Sequence, residues 1–81
     1  QSARAESNLA NLLLSVGRLD DARKAADEAR TLAKAAGAGV VEAYGELVLG
    51  ECALLQEKLD DARSWLAAAR DRFASMHNTS E

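Results

Sequence analysis

The stretch "GRLDDARKAADEAR", Gly17–Arg30, returns forty residues later as "EKLDDARSWLAAAR", Glu57–Arg70. Sliding the chain against itself by that distance also aligns Ala3 with Ala43, Glu6 with Glu46, Leu9 with Leu49 and Leu14 with Leu54. A fixed period of this size marks a stack of repeated units, each covering its neighbour's apolar face. The first unit spans about residues 2–37 and the second about 40–77, leaving a tail at 78–81.

Each unit reads as two helices. From Ser2 to Val16, the residues Ala5, Leu9, Leu12, Leu13 and Val16 fall on one stripe at helical spacing. Gly17 ends that helix, because glycine accepts the left-handed conformation of a helix terminus. Asp20 is placed to cap the second helix, and Asp21 sets negative charge at the positive end of its dipole. The second helix is expected to bury Ala22, Ala26, Ala29, Leu32 or Ala33, and Ala36, until "GAG" at Gly37–Gly39 breaks it. A third helix is expected from Val40 to Gln56 and a fourth from Asp60 to Met76, followed by a frayed "HNTSE". In this reading Leu19 and Leu59 staple the turns to the core, and Arg23 and Arg63 lie outside, within reach of carboxylates one turn away. The fold class is therefore all-α, with four antiparallel helices in two hairpins.

Composition agrees. The 81 residues contain 48% hydrophobic and 28% charged residues, with no proline and little aromatic content. Strong helix formers dominate, and much of the apolar share is alanine, so the core must be thin and closely interdigitated. A net charge of -3 gives no basic footprint for nucleic acid. No apolar run approaches the roughly 20 residues needed to span a bilayer. The opening residues lack both the pattern of a signal peptide and an initiator methionine, so the expectation is a piece of a longer protein. A single cysteine, Cys52, fits a reducing compartment, with cytoplasm as the default.

The spacing Leu9-Ala10, Leu13, Gly17, Leu19, Ala22, Ala26, Ala29 resembles the tetratricopeptide repeat. Leu49-Gly50, Ala53, Leu59, Ala62, Leu66, Ala69 resembles it again. A period of 40, against about 34 for the ordinary repeat, is similar to the long-helix variety of bacterial transcriptional regulators and peptide-sensing response regulators. The chain departs from the family pattern at Lys34 and Ala74, where a proline is usual, and at Glu57, where the turn has lost its glycine.

The resemblance implies a right-handed α-solenoid fragment that binds proteins or peptides along a groove lined by the first helix of each unit. Carried over position by position, the groove presents Arg4, Ser7, Asn11 and Leu14, then Tyr44, Leu47, Glu51 and Leu54. Ser7 and Val48 stand where the family's carboxylate clamp has a lysine and an asparagine, so no such clamp is expected. Tyr44 and Asn11 are the foremost contact candidates, with Glu51 contributing charge.

Catalytic chemistry finds no constellation. The paired aspartates sit at helix starts, where the dipole explains them. Cys52 has no histidine or lysine at a useful spacing, and His77 stands alone, so neither a nucleophile nor a metal site is expected. "GAG" lacks the lysine and hydroxyl of a phosphate loop. Arg23, Lys24, Arg30, Lys34, Arg63, Arg70 and Arg72 alternate with Asp20, Asp27, Glu28 and Asp71, the pattern of a solvated, ion-paired face. The expectation is a non-catalytic scaffold without cofactor or metal, whose partner is a protein or peptide, neither nucleic acid nor membrane. The alternative is a sensor module of a transcriptional regulator. Trp65, Leu66, Ala69, Phe73 and Met76 form an apolar stripe at the end of the stack, and Trp65, Leu66, Phe73 and Met76 are the candidates for self-association as a two-fold homodimer.

Overall fold

In the computed structural model residues 2–79 are described, with side chains through Met76. Four helices follow one another: α1 (Ala3–Ser15), α2 (Leu19–Ala36), α3 (Gly39–Leu55) and α4 (Leu59–Thr79). Each packs on the next, and α1 also reaches α3, so α3 touches the other three. The fourth helix continues to Thr79, past the expected end at Met76; the His77 side chain and residues 80–81 lie outside the described part.

The repeat is visible in the backbone. In the first turn the Gly17 and Arg18 amides donate to the Leu14 and Leu13 carbonyls, and forty residues on Glu57 and Lys58 donate to Leu54 and Ala53. Gly17 has φ 82° and Glu57 φ 61°, so both turns need a left-handed residue, and the second supplies it without a glycine. A side chain there costs about 1–2 kcal/mol, of which the extra freedom of unfolded glycine offsets part. Glu57→Gly should therefore raise stability by about 0.5–1 kcal/mol, read as a higher urea midpoint at unchanged slope. An unchanged midpoint would mean that the glutamate is not strained.

Helix starts differ from expectation in one respect. The second helix begins at Leu19 with Arg18 as N-cap, and no side chain caps it. Asp20 and Asp21 lie within its first turn, where they serve the dipole rather than the cap. Asp21 pairs back to Arg18 at 2.6 Å, and Arg23 stands 3.8 Å from Asp20. The first helix is capped by Ser2, whose hydroxyl accepts from the Ala5 amide at 3.1 Å.

The core is alanine-rich. Ala10, Ala22, Ala25, Ala26, Val48, Leu49 and Cys52 form one cluster, with Leu13, Leu14 and Trp65 packed against it. Ala29 and Ala33 are buried as well, while Ala36 is exposed and Leu32 half-buried. The apolar stripe expected to bury α1 does not: Ala5, Leu9, Leu12 and Val16 face outward, and Glu6, Ser7 and Ala10 are the buried positions. That helix has two apolar faces, and the turn at Gly17 delivers α2 onto the one holding Ala10, Leu13 and Leu14.

Larger side chains in the second unit answer smaller ones beside them. A methyl on Gly50 would come within 2.6 Å of Leu66 Cδ2, so Leu66 occupies the notch that the glycine leaves. In the first unit the matching pair is Ala10 and Ala26, both fully buried. Gly45 lets α3 approach α2 closely, with the Ala26 carbonyl oxygen 3.0 Å from where its Cβ would stand.

Candidate functional site

Between α1 and α3 lies a cavity of about 280 Å³, lined by Arg4, Ser7, Asn8, Val40, Val41 and Tyr44. Of the eight groove positions carried over from the resemblance, it gathers Arg4, Ser7 and Tyr44. Asn11, Leu14, Leu47, Glu51 and Leu54 lie outside its lining. Asn8, Val40 and Val41 were not foreseen; they enter because the first turn of α3 sits opposite the N-terminal half of α1. Leu47, a groove position by the resemblance, is half-buried, one helical turn from the exposed Tyr44 and Glu51.

The cavity is polar on one wall and apolar on the other. Arg4, Asn8 and Tyr44 are exposed, while Ser7 is buried in the wall. Among the described residues Arg4 takes part in no ion pair, although most other arginines do. Tyr44 is 46% exposed, and its ring is held edge-on to Phe73 at 5.5 Å, an interplanar angle of 69°. That contact fixes one side of the ring and leaves the other to solvent.

The four residues assigned to self-association turn inward. Trp65 lies on the core cluster with the Arg30 guanidinium carbon 5.1 Å from its ring centroid, a cation–π contact between α2 and α4. Leu66 fills the Gly50 notch, Phe73 meets Tyr44, and Met76 Sδ lies 3.0 Å from where a Gly39 Cβ would be. All four are half-buried, so they form no open apolar stripe. The exposed large hydrophobic residues lie elsewhere: Leu9 and Leu12 on α1 with Val16 at its C-cap, Val40 and Tyr44 at the cavity, and Leu54, Leu55 and Leu59 at the second turn.

The charged face keeps the expected pairs Arg23–Asp20, Arg30–Asp27 and Arg70–Asp71, and Arg72 is its one departure among the described ion pairs. Arg72 reaches across to α3, donating from Nε to Glu46 Oε1 at 3.0 Å and from Nη2 to Glu46 Oε2 at 2.9 Å. The same Nη2 stands 3.2 Å from Glu42 Oε2. Both carboxylates are buried. The hydrogen bonds to Glu46 hold the guanidinium more firmly protonated than usual.

Cys52 is fully buried, with Sγ 3.8 Å from the Leu19 carbonyl oxygen. Burial pushes its thiol above the ordinary 9.0, and Glu51 pushes in the same direction. Well below pH 9.0 the thiol is neutral whether the chain is folded or not; as the pH rises through that value the unfolded chain releases the proton first, and stability falls. The expected result is an unfolding free energy that declines above pH 9 more steeply for wild type than for Cys52→Ala, with native Cys52 unreactive toward alkylation at neutral pH. Rapid alkylation of the native chain would contradict this placement.

Among the described residues no group of three His, Cys, Asp or Glu side chains could hold a metal ion, and no helix is long and apolar enough to cross a membrane. Compared with models of known families, with characterised proteins and with solved structures, the chain finds no match.

Proposed function

We propose that the chain is a non-catalytic, tetratricopeptide-like binding module that takes a protein or peptide segment in the cleft between α1 and α3. The observation that carries the reading is the cavity itself, where an arginine without an ion pair and a half-exposed tyrosine flank two valines. Such a site favours a segment offering a carboxylate to Arg4 beside an apolar side chain for Val40 and Val41. Tyr44 supplies a rigid contact surface at low entropic cost.

A library of short acidic–apolar peptides titrated against isotope-labelled chain tests it. Binders are expected to shift the amide signals of Arg4, Ser7, Asn8 and Tyr44. Tyr44→Ala should weaken the best binder by about tenfold or more, the loss typical of a hot-spot residue, with little change in Tm. Shifts confined to other faces, or a binding loss that merely tracks unfolding, would refute the assignment.

A further inference from the structure

The repeat relation says what the outward face of α1 is built to receive. On α3, the residues Gly45, Leu49, Cys52 and Gln56 are covered by α2: Gly45 lies against Ala26 and Arg30, Cys52 meets the Leu19 carbonyl, and Gln56 donates to Asp20 at 3.4 Å. Forty residues earlier the same positions are Ala5, Leu9, Leu12 and Val16, and all four are exposed. Leu12 is 61% exposed where Cys52 is fully buried. The covering element has its own counterpart in the chain. Leu19, Arg23 and Arg30 of α2 correspond to Leu59, Arg63 and Arg70 of α4, and these three are exposed, Leu59 at 62%.

We infer that the chain docks head to tail on second copies of itself, with α4 of one copy seated on α1 of the next and its Arg70 reaching that copy's α2, as α2 is seated on α3 and Arg30 reaches α4 within one chain. Leu59 then covers Leu12, as the Leu19 segment covers Cys52. Charge supports the same pairing. Arg30 reaches into the second unit to lie over Trp65, and the position equivalent to Trp65 in the first unit is Ala25. The smaller side chain leaves an open depression of about 280 Å³ whose lining includes Glu6, Asp21, Glu28 and Lys24 beside Ala25. Glu6 and Glu28 beside Lys24, with Asp21 already held by Arg18, form a socket for Arg70, whose side chain is 77% exposed and whose only polar partner among the described residues is the neighbouring Asp71 at 3.4 Å. The joint is slightly looser than its internal counterpart, because Ala5 carries the methyl that Gly45 lacks. A contact between two different faces leaves one face unused at either end of a pair, so it builds open chains or rings of copies rather than a two-fold dimer.

Sedimentation of the 81-residue chain from micromolar to millimolar concentration tests this, beside Leu12→Glu, Leu59→Glu and Arg70→Glu. All three substitutions are at exposed positions, and circular dichroism melts are run beside the sedimentation to check that each variant is folded. Wild type should grow past dimer with concentration and dissociate as salt rises. Leu12→Glu and Leu59→Glu should each be monomeric alone, yet an equimolar mixture should form a one-to-one pair and nothing larger, since each retains the face that the other has lost. Arg70→Glu should weaken association by at least about tenfold, the loss expected on turning an attraction into a repulsion in a partly buried socket. A wild type that stays monomeric at millimolar concentration overturns the proposal. So does a Leu59→Glu chain that associates like wild type while Leu12→Glu does not, since that pattern belongs to a two-fold contact through α1.

Discussion

Arg72→Leu should destabilise the chain by about 2–4 kcal/mol, although the arginine stands on a helix face that reads as ordinary solvated charge. The reason lies on α3. Glu42 and Glu46 are one helical turn apart, both are buried, and Arg72 is the cation between them. Like charges at that spacing repel, and removing the guanidinium leaves two carboxylates short of both water and partner. Loss of one member of a fully buried pair costs about 3–5 kcal/mol; the lower figure applies because Arg72 is 36% exposed and solvent screens part of the field. For a domain of this size that is a large share of the total, which is commonly about 5–10 kcal/mol. Urea unfolding measures it without adding the screening that guanidinium would bring. Glu46→Gln placed on the Arg72→Leu background should recover part of the loss, and Arg72→Lys, which keeps the charge but not the two-pronged geometry, should fall between. A cost below about 0.5 kcal/mol, the range of an ordinary surface change, would show the cluster to be solvated.

The same three residues show where pattern reading stops. Glu46 has its repeat partner in Glu6, and both are buried, but the position of Arg72 is Leu32 in the first unit. Repetition therefore identifies the glutamate as structural without revealing its cation. Period and turn chemistry were legible: the hairpin bonds at Gly17 and Glu57 recur residue for residue, and helix ends fall within a few residues of expectation. Which face of a helix is covered was not. In α1 an apolar residue occurs on almost every side, so spacing alone could not choose between the Leu9–Leu12–Val16 stripe and the Ala10–Leu13–Leu14 face. The cavity suffered similarly. Arg4, Ser7 and Tyr44 could be carried over, but Asn8, Val40 and Val41 depend on how far α3 is displaced along α1, which only packing determines. At the other end of the chain, Trp65 and Leu66 read as a surface awaiting a neighbour because they are large. Gly50 and Arg30 are what draw them inward.

Leu49→Ala should cost about 2–4 kcal/mol, and Leu9→Ala, the same substitution at the same repeat position, about 1 kcal/mol or less. Leu49 is 4% exposed within the cluster of Ala10, Ala22, Ala26, Val48 and Cys52, and α3 is the helix that meets the other three. Its neighbours are mostly alanines, whose side chains cannot extend into the space a lost isobutyl group would leave. The cavity therefore stays open, and the cost goes beyond transfer alone. Leu9 is 43% exposed and loses only part of its contact. Comparing the two holds local sequence, helix position and chemistry nearly constant, so the difference isolates the covering helix. The melts belong at micromolar concentration, where contacts between copies do not contribute. Equal costs at the two positions would mean that α2 does not cover α3 as described, and the inward direction of the whole third helix would have to be redrawn.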